Sequence, residues 1–507
     1  MKRKKEKRPS FILELPLAVP SEQEDRLNKQ FEIGRILYND TLKDMEGRRR
    51  AMMQTKAYRN VMGQIAQNAK DKKPKSESKH LWKQIDQMRK AYGLTKSGIE
   101  KALNKHRYHF KGLIDSVTGQ TLEKRLWQAY KKVFYSNGKE VRFHKFGQLN
   151  SLEGKSNKAG IRFIDENVVW ADHHYPAIVK TSYERLALMN EICYNRIVRR
   201  QVRGKYKYYV QIVLRGAPPQ KHKHELGTGK VGIDIGVSTV AVVSDTKVML
   251  EELASKVNAC ERRIWLLQRK IDRSRRAMNP DNYNSDGTVK KGKSKGVGNG
   301  RGKEKLTWVK SNRYLKLEAE LREVRRKQAA IRKYRHHCLA NALVELGDQF
   351  FIENMNFKAL QKRAKADTDK KDTATEEQPK AKNRCRKRFG ASLQRRAPAA
   401  FVSILSQKVK ARGGTITKVN TTRLKASQYN HVTDTYTKKP LKQRWTDVGG
   451  VKVQRDLYSA LLIQNVNDDL STVDREACDR AFASFKELHD QEIERLSHRK
   501  NPSCMGI

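Results

Sequence analysis

Acidic residues are scarce in this chain: 55 Asp and Glu stand against 108 Lys and Arg, a formal charge of +53 over 507 residues. Such an excess repels itself in a compact fold and makes sense mainly beside a polyanion. Hydrophobic residues are also few, at 37%, against about 45–50% in ordinary globular domains, so modest cores separated by charged channels are expected. No run of about 18 apolar residues is present to span a bilayer. The basic residues run through the whole chain, which favours nucleic acid over a membrane surface. The first ten residues, MKRKKEKRPS, precede FILELPLAVP, which is short and broken by Glu14 and two prolines. That pattern is not a signal peptide; the basic start suits a localisation signal or a solvated arm touching phosphate. The six cysteines (193, 260, 338, 385, 478 and 504) include no CxxC pair. Neither a disulfide framework nor a cysteine zinc site is indicated, and the expected location is a reducing interior, the bacterial cytoplasm.

Length allows three or four domains. Residues 11–18 suit a strand, and 20–42 an amphipathic helix with Ser21 and Glu24 at capping-box spacing. Lys-rich helical patterning continues to about 135, interrupted by a charged linker at 70–79. Strand-like runs follow at 141–146, 160–165, 167–172 and 206–216, suggesting a small barrel or sheet. In GKYKYYV (204–210) cations and aromatics interleave, which fits phosphate contact with base stacking, or ordinary strand alternation. A helical stretch is expected over about 250–276, a flexible Gly/Asn/Lys-rich loop over 276–305, a basic helix over 306–346, a mobile polar tract over 364–384, and a helix over 396–414.

Three of the rare acids sit in hydrophobic settings. Asp234 lies in VGIDIGVSTVAVVSD (231–245), which reads as two buried strands around a Gly turn. Glu353 ends FFIEN, and Asp456 lies where VQRDLYSALLIQN turns apolar and helical. A carboxylate at the edge of a core strand is costly unless neutralised. Hard divalent cations such as Mg²⁺ prefer oxygen ligands, and two of them can stabilise the attacking and leaving oxygens of a phosphodiester. Any one acid alone reads equally as a salt-bridged strand end. Elsewhere, Asp172, His173 and His174 have no companion motif and read as a turn between strands. His336, His337 and Cys338 fall on a helical pattern as core and surface positions.

The three acidic segments in this order, 119 and then 103 residues apart, resemble the split RuvC-like nuclease of the TnpB family and its miniature type V CRISPR relatives. PSEQEDRLNKQF, SRRAMNPDNYNSDGTVKKG and RRAPAAFVSIL are similar to family segments as well. The resemblance implies a multidomain α+β fold. A wedge domain of oligonucleotide-binding β-barrel type would take residues 1–19 and 136–226, and a helical recognition domain 20–135. An RNase H-like (RuvC) nuclease domain would take 227–424, with its end and a helical tail at 451–507. Between them, 425–450 would be a degenerate zinc-finger-like insert. The resemblance further implies Asp234, Glu353 and Asp456 as ligands for Mg²⁺, with Mn²⁺ the alternative ion. Arg444, in KQRW, would either stabilise charge on the scissile phosphate or bind phosphate as one more arginine. The implied partners are a guide RNA with a structured scaffold and double-stranded target DNA; oligomeric state is open. Sequence would be read by base pairing, with the protein reading duplex shape and a short flanking motif.

Two departures stand out. Residues 425–456 lack the family's four zinc-binding cysteines, and His431 alone cannot replace them. No zinc is expected there, and packing around Tyr429 and Trp445 would hold the insert. The third motif reads DLYSA, keeping Asp456 but not the residues that usually follow. The rival reading is an RNA-guided DNA-binding repressor or targeting protein without cleavage.

Overall fold

The computed structural model describes residues 9–74, 76–136, 138–219, 223–290, 306–361, 389–440, 442–499 and 504–507. The chain divides into two compact units, Met1–Pro219 and Gln220–Ile507. Among the described residues, no helix is long and apolar enough to cross a membrane.

The first unit opens with β1 (Ser10–Pro16) and five helices: α1 (Ser21–Gln54), α2 (Lys56–Lys70), α3 (Lys79–Ala91), α4 (Lys96–Arg107) and α5 (Ser116–Tyr135). Short strands β2 (Ser151–Glu153), β3 (Arg162–Ile164), β4 (Asn167–Trp170) and β5 (His173–Pro176) follow. Helix α6 (Ser182–Leu188) leads to a long hairpin of β6 (Ile192–Val202) and β7 (Lys205–Arg215). β1 returns to pair antiparallel with β7, giving the sheet order β1-β7-β6-β2, while β3-β4-β5 is a separate meander. Neither sheet closes, so the expected barrel is two open sheets. An isolated bridge joins Leu17 to Ala177, short of the continuous staggered ladder that closure needs. Helices and strands share one core: Leu27 and Phe31 of α1 and Leu122 of α5 pack with Leu15, Ile197 and Val210.

Several local expectations change. Ser21 is the first residue of α1 rather than its cap. Pro20, in an extended conformation, holds the cap position without a side-chain bond. A capping box does form at Thr181 and Glu184 of α6. Residues 141–146 are a loop tied to α1 rather than a strand. In GKYKYYV the strand alternation is present: Tyr208 is buried and donates to Asn28, while Lys205 and Lys207 are exposed. Asp172 belongs to the tight β4–β5 turn, where Ala171 and Asp172 both take positive φ, as a two-residue hairpin loop requires.

The second unit is built on a five-stranded sheet. Strands β8 (Lys230–Ile235), β9 (Thr239–Ser244) and β10 (Val248–Glu252) form an antiparallel meander. Helices α7 (Glu261–Met278) and α8 (Asn312–Val344) lead to β11 (Gln349–Glu353), and α9 (Phe357–Leu360), α10 (Gly390–Arg396) and α11 (Pro398–Ala411) to β12 (Thr415–Val419). The order is β10-β9-β8-β11-β12, with β8, β11 and β12 parallel. The helix expected from 250 begins at 261, because 248–252 is recruited by β9. Within the stretch expected as a flexible loop, α7 runs on to Met278 and a small antiparallel bridge joins Tyr283 to Val289; residues 291–305 and the tract 364–384 lie outside the described residues.

After β12 come α12 (Thr421–Leu424) and two hairpins, β13 (Tyr429–Asn430) with β14 (Thr435–Tyr436) and β15 (Trp445–Val448) with β16 (Val451–Gln454). Helices α13 (Arg455–Gln464) and α14 (Arg475–Ser497) follow. Tyr429 stacks on Tyr436 and donates to Asp434 at 2.7 Å. His431 is buried with Nδ1 2.7 Å from the Tyr458 hydroxyl. That histidine therefore packs as a core residue between the hairpins and α13.

Candidate active site

The period-2 geometry of the central strands explains the site. In β8, Val231, Ile233 and Ile235 face a core with α8 and α11, built from residues such as Leu343, Phe401 and Leu405. Gly232 and Asp234 therefore face the other side. In β11, Phe350 and Ile352 join that same core, which leaves Phe351 and Glu353 opposite. Ile352 pairs in register with Ile233, so Glu353 and Asp234 are next along neighbouring strands on one face.

Helix α13 packs onto this face and brings the third acid. Its approach depends on Gly232: a Cβ there would lie 2.1 Å from the Ala460 carbonyl oxygen and 2.5 Å from the Gln464 nitrogen. Contact this close between strand and helix backbone admits no side chain. Asp456 lies in the first turn of α13, whose cap is Gln454: its Oε1 accepts from Leu457 N at 2.8 Å. An acid at a helix N-terminus is also favoured by the helix dipole.

Asp234, Glu353 and Asp456 thus line one cleft of about 310 Å³, together with Arg444, Arg455, Cys504 and the β8–β9 turn. Burial, then the charges of Glu353 and Asp456, raise Asp234 well above the usual carboxylate range, with Arg455 and Arg444 acting in the opposite direction. Burial pushes Glu353 up to about 7. Asp456 is held by two arginines: Arg444 Nη1 is 3.5 Å from Oδ2 and Arg455 Nη2 is 3.3 Å from Oδ1. The carboxylates share the cleft without converging on a point. Among the described residues, no three His, Cys, Asp or Glu side chains gather as a metal site.

Arg444 is placed by the hairpin before α13. Trp445 pairs with Gln454 across β15 and β16, and the Arg455 backbone nitrogen donates to Arg444 O at 2.8 Å. A distant segment, residues 504–507, packs against the same place. Met505 is buried, its carbonyl accepts from Gln454 Nε2 at 3.1 Å, and Gly506 O accepts from the Trp445 indole at 2.9 Å.

The structure therefore brings together all four residues singled out in the sequence. It adds Arg455, Gln454, Gly232 and Cys504. Gly232 was findable, being two residues before Asp234 and hence on the same strand face. Arg455 directly precedes Asp456, but nothing local marks it. No local signal ties residues 504–507 to the cleft. Neither histidine cluster is among the residues lining the cleft: His336 is a core residue against Phe401, lowered to about 4 by burial, and His173 and His174 lie in β5 of the first unit.

No family model matches the sequence, and no curated protein matches it. Solved structures similar to this chain include two Cas12f complexes. One is a complex of Cas12f1 with sgRNA and target DNA, at 11% identity and a TM-score of 0.41, covering 90% of this chain and 99% of that one. The other is a CRISPR-Cas12f ternary complex, at 11% identity and a TM-score of 0.24, covering 88% and 86%.

Proposed function

We propose that this protein is an RNA-guided DNA endonuclease of the TnpB or miniature type V kind, hydrolysing phosphodiester bonds in a single RuvC-like site. The observation that carries the reading is the meeting of Asp234, Glu353 and Asp456 in one cleft, from segments more than 100 residues apart. A sheet whose first three strands are antiparallel and whose last two run parallel to the first is the arrangement expected of an RNase H-like nuclease domain. Asp234 at the end of its first strand and Glu353 at the end of the adjacent parallel strand suit that assignment.

The donor set fits Mg²⁺ or Mn²⁺. The three carboxylates line one cleft, where burial first and then the charges of Glu353 and Asp456 raise Asp234; hard divalent cations relieve that cost through oxygen ligands. Asp234, Glu353 and Asp456 would hold the ion, whose contribution is Lewis-acid polarisation of the phosphate. Arg444 and Arg455, both lining the cleft, would donate to phosphate oxygens as charge builds on them. Water adds to phosphorus and one P–O ester bond breaks, leaving a phosphate monoester and a hydroxyl. The net charge of +53 supplies the sequence-independent grip on nucleic acid.

The Cas12f1 complex pairs a protein with an sgRNA and target DNA; we assign the same partner classes to this chain on its own charge and ordered motifs. Sequencing the RNA that co-purifies with the protein from its native locus tests this directly. One abundant species with a constant scaffold and a variable end is expected. A mixture resembling total cellular RNA would overturn RNA guidance.

A further inference from the structure

Residues 139–150 of the first unit form a loop pinned at several points. Val141 and Leu149 are buried at its two ends. Asn39 of α1 grips the middle with both ends of its amide, donating to His144 O at 2.8 Å and accepting from His144 N at 2.9 Å. The His144 ring packs on Tyr38, with centroids 4.7 Å apart. Gly147, at positive φ, donates its N–H to Glu32 Oε1 at 3.1 Å, and Glu32 is itself fixed by Arg35 and the buried Arg199. Gln148 and Lys145 close a turn by bonding each other's backbone.

This well-anchored loop turns its largest apolar side chains outward. Phe146 is 81% exposed, the highest value for any large hydrophobic side chain among the described residues, and Phe143 is 52% exposed. Collapse of a loose loop does not explain them, because the backbone between them is held by Asn39. The rings alternate with cations: Lys139, Arg142 and Lys145 are exposed in the same segment. One acid, Glu140, lies 3.6 Å from Arg142. Rigid aromatic faces beside positive charge are the elements of a base-stacking platform, the cations tracking phosphate and the rings taking bases.

We propose that Phe143 and Phe146 form a stacking site for unpaired bases of an RNA strand, with Arg142 and Lys145 contacting its phosphates. Unpaired RNA can splay its bases onto aromatic side chains, whereas duplex DNA keeps them inside the helix. The choice of RNA rests on the function proposed above; the stacking site does not depend on the carboxylate cleft.

The test uses full-length protein and a 16-nucleotide single-stranded RNA carrying one 2-aminopurine, with a DNA duplex of equal length as the second probe. Phe143→Ala/Phe146→Ala should bind the RNA roughly tenfold or more weakly and lose the stacking-induced fluorescence quench. Its salt dependence should match the wild type, while Arg142→Ala/Lys145→Ala should flatten that slope. Thermal midpoints should stay near the wild-type value, because the altered side chains are exposed. Asp234→Asn should bind this RNA normally, so failure of the nuclease reading and failure of the stacking site give different results. Unchanged RNA affinity and quench in the double phenylalanine variant would overturn the proposal. So would an equal loss on duplex DNA, or a change in self-association alone, which would make the rings a protein interface.

Discussion

Gly506 lies so close to Arg444 that a Cβ added to the glycine would stand 2.4 Å from the arginine's own Cβ. The glycine also has φ +75°, a conformation that costs any other residue. Gly506→Ala should therefore push Arg444 away from Asp456. The expected result is at least a tenfold fall in DNA cleavage rate with RNA and target binding retained, read by single-turnover kinetics and gel shift. Full cleavage by this variant would show that the segment 504–507 does not position Arg444.

Arg444 itself can act on the reacting phosphate or on the DNA backbone at large. Removing one donor aimed at developing charge typically costs about 10²–10³ in rate. Arg444→Ala is expected to lower kcat by roughly that factor and leave the dissociation constant for target DNA within about threefold. A mere weakening of DNA binding, with kcat intact, would assign Arg444 to general phosphate contact.

Gly232 admits α13 to the sheet. Gly232→Ala forces a Cβ against the backbone of Ala460 and Gln464, where no flexible side chain can yield. Overpacking of this kind costs about 1–3 kcal/mol or more. Chemical denaturation should show destabilisation of at least that size, and cleavage should fall with it because Asp456 rides on α13.

The carboxylate cluster has a pH signature without metal. Glu353 is pushed up to about 7 from a usual 4.5, and Asp234 is raised as well. The folded protein thus keeps protons that the unfolded chain has released. This contribution to stability is full at pH below the ordinary carboxylate range and is lost as pH climbs from about 4.5 towards 7. Asp234→Asn removes one of the repelling charges. In EDTA it should raise the melting temperature by a few degrees at about pH 8 and leave it near the wild-type value at about pH 4. Equal melting curves at both pH values would mean that the charge on Asp234 carries no strain.

Zinc gives a simpler expectation. Tyr429, His431 and Tyr458 pack the segment after β12, so a zinc chelator should leave the melting temperature unchanged. His431→Ala should lower the stability by about 2 kcal/mol, because the buried Tyr458 hydroxyl loses the imidazole Nδ1 and keeps only the backbone N–H of residue 431.

The acids were legible in the sequence because strand periodicity and burial act within a few residues: VGIDIG declares its core face, and with it the opposite face of Asp234. The helix at 455–464 was legible for the same reason. The barrel was not, since closure depends on a ladder between strands far apart in sequence, and here a single bridge forms at Leu17 and Ala177. Residues 141–146 look like a strand by composition, yet Asn39, more than 100 positions away, claims the backbone of His144. Gly506 beside Arg444 is equally non-local.

Nuclease and binding protein are separated by giving the wild-type protein and Asp234→Asn, each loaded with the RNA found to co-purify, a matching DNA duplex in Mg²⁺. Binding and cleavage are measured in the same samples. The wild type should bind and cut, and the variant should bind equally and leave the DNA intact. Equal cutting by both would refute the site, and binding without cutting by both would make this an RNA-guided DNA-binding protein rather than a nuclease.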